Sequence, residues 1–247
     1  MCSVTFLPRD DGFLLAMNRD ELRTRAAALP PEVSRRDGLA MLYPRERGGG
    51  TWVGINSSGM AFSLLNWHSQ PDRAGEDLVS RGEVVRAVLS AGSPQAAARI
   101  VGQLPCERMN PFRLVAISLA ERSLDEWRSG AERLEQISLP WTRQHWFSSG
   151  FDEAKANHVR RKVCDRLADD ALNGPTLRAL HRSHLPEAGS FSMCMHRPEA
   201  GTVSYTEISV RGSRAAIHYV PAPPCSCSRS FQVSLDLAVP CAISRAA

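Results

Sequence analysis

The fold is decided by Met1-Cys-Ser-Val-Thr-Phe-Leu-Pro-Arg-Asp-Asp-Gly-Phe-Leu-Leu-Ala-Met-Asn-Arg-Asp-Glu21. Ser3–Leu7 and Phe13–Asn18 are two β-prone runs, and the turn-rich Pro-Arg-Asp-Asp-Gly between them makes a hairpin. The hairpin starts one residue after the initiator and ends in a charged tetrapeptide. Cys2 is a small residue, so removal of Met1 is expected. A terminal cysteine then carries a thiol and a free α-amine, whose pKa near ~7.7–8.0 suits it to accept the thiol proton.

Outward from this hairpin, residues 24–50 are rich in Pro, Arg and Gly and read as a surface excursion. Trp52–Ile55 and Met60–Asn66 form a second hairpin across Asn56-Ser-Ser-Gly59. Helices are predicted over Ser80–Leu89 and Ser93–Gly102, the latter with a serine N-cap and proline at its first position. Phe112–Leu119 and Leu124–Trp127 pair as strands, and His145–Ser148 is a short strand. Apolar residues recur at helical spacing from Asp152 to Leu172, and a shorter helix covers Pro175–Arg182. Strands return at Phe191–His196, Thr202–Val210 and Ala215–Val220. This order predicts an α+β protein, a four-layer αββα sandwich of two antiparallel sheets with helices outside. Residues 1–220 form one domain, and residues 221–247, opening Pro221-Ala-Pro-Pro-Cys, form an irregular tail packed on it.

Composition narrows the function. The 247 residues are 43% hydrophobic and 23% charged, with a formal net charge of +4. That is the balance of a globular domain with a sizeable core. The arginines are scattered, so no basic stripe for nucleic acid is present. No apolar run approaches the roughly 20 residues of a membrane-spanning helix. The amino terminus also lacks the pattern of a secretory signal. A cytoplasmic location is expected, with the seven cysteines as thiols.

Several segments taken in order, Met1-Cys2, Asn18-Arg-Asp-Glu21, Gly49-Gly-Thr-Trp-Val-Gly-Ile55, Leu65-Asn66, Ser80-Arg-Gly82 and Asn110-Pro-Phe112, carry a resemblance. Together they resemble the NRDE family, also called the transport and Golgi organisation protein 2 family. The resemblance covers about the first 120 residues and implies the N-terminal-nucleophile (Ntn) hydrolase fold. It places the chain near choloylglycine hydrolases and penicillin acylases, which open amides through an N-terminal cysteine. Carried over, it makes Cys2 the nucleophile, Arg19 the group that lowers its pKa, Asp20 the anchor of the α-amine and Asn66 an oxyanion donor. On a regular strand Arg19 and Asp20 point to opposite faces, and Glu21 could stand in for Asp20. Glu21, Trp67, His68 and Ser149 are the candidate substrate contacts. The chain departs from the family at His145-Trp-Phe-Ser-Ser149, where Ser replaces an expected Asn and a second amide donor is missing.

Two readings of function follow. One is an amidohydrolase or acyltransferase that acts on a small molecule through a thioester and needs no cofactor. The other, which family association raises, is a non-catalytic carrier of haem or another apolar ligand. For haem, His68, His145 and His158 are the potential axial ligands, although none lies in a haem-attachment motif. Trp52, Trp67 and Trp146 line a cleft or fill the core, with core favoured for Trp52. Cys194-x-His196 and Cys225-x-Cys227 could in principle build a tetrahedral zinc site. Their spacing is not a usual zinc signature, so buried thiols beside a satisfied histidine are expected, without metal. The sequence carries no signature of oligomeric state.

Overall fold

The computed structural model describes residues 2–75, 77–130, 133–167 and 173–238. Two antiparallel sheets stack face to face between two helical layers. The first contains β1 (Cys2–Arg9), β2 (Gly12–Leu22), β10 (Gln144–Ser148), β11 (Ala200–Arg211), β12 (Arg214–Val220) and β13 (Phe231–Asp236), in the order β10-β1-β2-β11-β12-β13. The second runs in simple succession through β3 (Leu29–Arg36), β4 (Leu39–Arg45), β5 (Val53–Asn56), β6 (Met60–Asn66), β7 (Phe112–Ser118), β8 (Ser123–Ser129) and β9 (Leu134–Leu139). Helices α1 (Gly82–Val88) and α2 (Pro94–Gly102) pack on the second sheet; α3 (Glu153–Asp165) and α4 (Gly174–Arg182) pack on the first.

Alternation along the strands builds the layers. Val4, Phe6, Phe13, Leu15 and Met17 face the second sheet and join Leu42, Val53, Ile55, Val115 and Ile117 in a buried inter-sheet core. On the outer face of the first sheet, Leu14 and Ala16 meet Val163, Leu177 and Leu180 of the helices. The same outer face is unusually polar. Thr5 Oγ1 lies 3.0 Å from His145 Nδ1 and 3.0 Å from His181 Nε2, all three residues being buried. Asn18 Nδ2 donates to the carbonyls of His181 (2.8 Å) and Met193 (2.7 Å), tying the helical layer to β2.

Three expectations need correction, and one strand is additional. The 24–50 excursion contains β3 and β4. Pro30 and Pro31 mask the first of these, yet proline is tolerated on an edge strand, and the register breaks between Leu29 and Glu32. The two strands turn at Asp37-Gly38, both at positive φ (51° and 79°), which is the hairpin chemistry that Asp-Gly supplies. The 221–247 tail is not wholly irregular, because β13 extends the first sheet by pairing with β12. Phe191–His196 is not a strand; its local order is an isolated bridge between His196 and Gly201. Finally, β9 is a strand that the pattern does not announce; Leu134, Ile137 and Leu139 are only partly buried, so its alternation is weak. Helix α3 is described to Asp165, and residues 168–172 of the expected Asp152–Leu172 helix lie outside the described residues.

Candidate functional site

Cys2 opens β1, paired with Arg19 on one side and Ser148 on the other. Strand alternation turns its side chain, like those of Val4 and Phe6, toward the space between the sheets. Arg19 shares that face: its guanidinium lies 4.5 Å from the centre of the Trp52 ring. Asp20 faces the helical layer. Its Oδ1 accepts from Thr202 Oγ1 at 2.6 Å, and its Oδ2 lies 3.6 Å from Arg160 Nη2. Opposite these residues β11 carries a bulge between Thr202 and Ser204. A bulge bends a strand and re-aims its side chains, and here it marks where the hairpin end opens into a cavity.

That cavity, about 290 Å³, is walled by Cys2, Arg19, Asp20 and Asn66, the four residues expected to do chemistry. Its far wall is the start of α1, brought in by the approach of Gly50 to Gly82. A β-carbon on Gly50 would sit 3.1 Å from the Gly82 α-carbon, so a side chain there would push the wall away. Thr51 N donates to Gly82 O at 3.1 Å, and Arg81 is thereby held over the cavity.

Electrostatics at the site differ from expectation. Burial pushes the Cys2 thiol up; the positive amino terminus opposes this, the Asp20 carboxylate adds to it, and the Asp20 main-chain N–H and Arg19 oppose it more weakly. Arg19 is occupied elsewhere, donating to Glu46 at 2.5 Å and to Glu21 at 3.4 Å. Arg25 closes the ring by pairing with both carboxylates, at 3.5 Å to Glu21 and 2.8 Å to Glu46. Four alternating charges therefore stiffen the cavity mouth, and Arg19 lowers the Cys2 pKa as expected but by less than burial raises it. Glu21 lines the cavity as part of this ring.

Trp67, His68 and Ser149 are not on the cavity wall. Trp67 packs against Gly130, and the His68 ring against Gly150. Ser149 Oγ accepts from the N–H groups of Phe151 (3.3 Å) and Asp152 (3.4 Å), at the entry to α3. Trp52 is 6% exposed and forms the cavity floor under Arg19, whereas Trp146 is a core residue donating to Glu126 at 3.2 Å.

Three residues acquire places that the sequence reading does not give them. Asn110 lines the cavity, and because its Oδ1 accepts from Arg73 N at 2.8 Å, its amide N–H₂ faces the other way. It can supply the second amide donor that position 149 lacks. Arg81 is also on the wall, with Nη1 donating to Pro111 O at 3.1 Å. Arg160, wholly buried on α3, donates to Ser3 Oγ (2.9 Å) and Cys2 O (3.4 Å) and faces Asp20. Its one-turn spacing from Ala156, Val163 and Cys164 was the available signal, since those buried positions define the inner face of α3.

Removing one member of a buried pair costs about 3–5 kcal/mol, because the other charge keeps its burial and loses its partner. Arg160→Met should therefore lower the free energy of unfolding by about 3–5 kcal/mol. Urea denaturation would read this as a lower midpoint at unchanged slope; a loss below about 1 kcal/mol would show that Arg160 carries no structural charge pairing.

The sequence model of the Transport and Golgi organisation 2 family matches residues 1–196. The chain belongs to this family. Solved structures similar to this family member share its fold at low identity. The C2A mutant of the conjugated bile acid hydrolase from Clostridium perfringens aligns with a TM-score of 0.59 at 10% identity, over 95% of this chain and 92% of that one. A variant of the same hydrolase, with one arginine replaced by leucine, gives 0.56 at 10% identity, over 94% and 92%. Penicillin V acylase from Agrobacterium tumefaciens gives 0.57 at 12% identity, over 96% and 86%. No curated protein matches the sequence. The αββα sandwich is thus that of the Ntn hydrolases. No helix among the described residues is long and apolar enough to cross a membrane.

Proposed function

We propose that this family member is an N-terminal-cysteine amidohydrolase or acyltransferase acting on a small molecule that carries an anionic group. The observation that supports the reading best is the convergence of Cys2, Asp20, Asn66 and Asn110 on one cavity of about 290 Å³. The fold shared with the bile acid hydrolase and the penicillin acylase supports the reaction class. Arg81 supports the substrate preference. A partly desolvated guanidinium on the wall, opposite the charge-balanced ring at the mouth, suits a carboxylate.

With Met1 removed, the α-amine of Cys2 takes the thiol proton and the sulfur attacks the carbonyl carbon. A C–S bond forms and the carbonyl electrons move to oxygen, which accepts from the Asn66 and Asn110 amides. Each such donor is worth about 2.7–4 kcal/mol in a water-poor site. The ammonium then gives its proton to the leaving nitrogen as the C–N bond breaks. The resulting thioester is attacked by water or another acceptor, with the amine again taking the proton. Asp20, held by Thr202 and Arg160, orients the ammonium.

The haem or apolar-carrier alternative draws no support from its three histidines. His145 is engaged with Thr5, His158 is exposed on α3 and His68 lies against Gly150; none of the three lines the cavity. The reading is tested by mixing the mature protein with a panel of small N-acyl compounds and quenching in acid. An acyl mass increment on the Cys2 peptide, larger for anionic substrates, is the expected result. Amine release with no acyl group ever found on Cys2 would reject the thioester.

A further inference from the structure

Among the described residues, one group of metal-ligating atoms lies outside the cavity, where the loop after α4 meets the segment after β12. His184 Nε2 and His196 Nε2 are 3.1 Å apart. Around the latter, Cys194 Sγ lies at 3.7 Å and Cys225 Sγ at 3.4 Å. All four ligand atoms fall within 4.8 Å of one another. Hydrogen bonding alone does not account for this arrangement. A histidine Nε2 offers either one proton or one lone pair, yet this one has three partners in reach. What satisfies all four atoms together is a shared centre.

We propose that His184, Cys194, His196 and Cys225 form a structural zinc site. Tetrahedral zinc with Zn–S near ~2.3 Å and Zn–N near ~2.0–2.1 Å places its nitrogens about 3.3 Å apart and nitrogen and sulfur about 3.6 Å apart. The observed 3.1, 3.4 and 3.7 Å bracket those separations. A Cys₂His₂ set of soft and borderline ligands in this geometry selects zinc over hard cations. Binding releases the two thiol protons, so the dication and two thiolates make a neutral centre that can sit partly buried. With four protein ligands the coordination is closed, which is the mark of a structural rather than a catalytic site.

The fold explains why a clamp is useful here. Residues 183–199 form a long connection whose regular pairing is one isolated bridge, and loops of this length rarely hold themselves. The metal would fasten its two ends to each other and to Cys225. Met195, between two ligands, donates its N–H to Thr202 Oγ1 at 2.8 Å, and that hydroxyl donates to Asp20 Oδ1 at 2.6 Å. The clamp therefore also steadies the aspartate beside Cys2. The metal assignment itself does not depend on the reaction proposed there.

The test uses the full chain, made in zinc-supplemented medium and purified under reducing conditions without chelator. Elemental analysis should find about one zinc per chain. After exchange, cobalt should give the intense visible absorption and thiolate charge-transfer bands of a tetrahedral S₂N₂ site. Cys225→Ser and His184→Ala, both on the less buried side, should each weaken zinc binding by at least the roughly 10–100-fold that loss of an outer partner costs. Cys227→Ser, one residue pair away and outside the cluster, should leave zinc content unchanged. Soluble wild-type protein that takes up neither zinc nor cobalt would overturn the proposal, whatever the variants do. So would metal uptake unaffected by Cys225→Ser and His184→Ala, or a Cys194–Cys225 disulfide persisting under reduction. Failure of the Cys2 chemistry would leave all these readouts in place, so the two proposals fail separately.

Discussion

Cys2→Ala is expected to fold normally, bind substrate and form no acyl adduct, with turnover reduced on the order of 10⁶-fold, the scale on which hydrolases lose rate when their nucleophile is removed. Cys2 is 8% exposed and sits at the end of the inter-sheet core, so exchanging its sulfur for hydrogen leaves only a small void. Cys2→Ser keeps the shape but substitutes a far weaker nucleophile, and an intermediate loss is expected. The pH profile of the wild type adds a sharper demand. Burial holds the thiol up, and Arg19, which opposes this, also pairs with Glu21 and Glu46, so the proposed route starts from the thiol rather than from a standing thiolate. The amine must take the proton, and kcat/KM should rise with pH toward a limb near the ~7.7–8.0 of a terminal amine. A rate independent of pH from 5 to 9 would contradict this division of labour.

Acid should destabilise the protein well above the range in which its carboxylates titrate. Burial, with Arg143 and Arg161, holds His145 down to about 3, and burial, with His145 and Arg160, holds His181 down to about 3. Both rings hydrogen-bond the single Thr5 hydroxyl, which has one proton to donate, so it donates to one ring and accepts from the other. The ring that accepts must be neutral there, and the second nitrogens, His145 Nε2 and His181 Nδ1, are buried without a hydrogen-bond partner, so a second proton on either ring would be poorly accommodated. Their folded pKa values lie below the ordinary 6.5, so the unfolded chain binds protons that the native state refuses. Stability is full above pH 6.5 and falls as pH drops from 6.5 toward 3, by about 1.4 kcal/mol per unit for each ring. By pH 5 the two together remove about 4 kcal/mol, a large share of a domain's usual 5–15 kcal/mol. His181→Gln, which can still meet Thr5, should remove about half of that slope. Urea midpoints that do not change between pH 7 and 5 would show that these rings are charged in the native state.

Much of the fold was legible because its signals are local. Alternation marks β1, β2 and β5 to β8, and Ser93-Pro94 starts α2 with the serine accepting from Ala96 N at 3.2 Å. What escaped was pairing that alternation does not announce. β3 hides behind Pro30 and Pro31, β9 is half-exposed, and β13 lies in a segment whose turn residues dominate its reading. The candidate site divides in the same way. Cys2, Arg19, Asp20 and Asn66 stand at strand ends, where register fixes a residue's place, and they line one cavity. Asn110 and Arg81 reach it from a loop and a helix start, and Arg160 backs it from the helical layer through Cys2 O, Ser3 and Asp20; only tertiary packing shows that. Of Cys194, His196, Cys225 and Cys227, which the spacing left as thiols beside a histidine without metal, the fold gathers the first three with His184, which follows α4, while Cys227 turns toward Arg229 O.

The intact mass of the purified protein tests the central claim most directly. A chain lighter by one methionine, gaining an acyl group on its new first residue when substrate is added, is the expected result. A mature chain that keeps Met1 and still turns over amides at full rate would contradict it, because position 2 would then have no amine of its own.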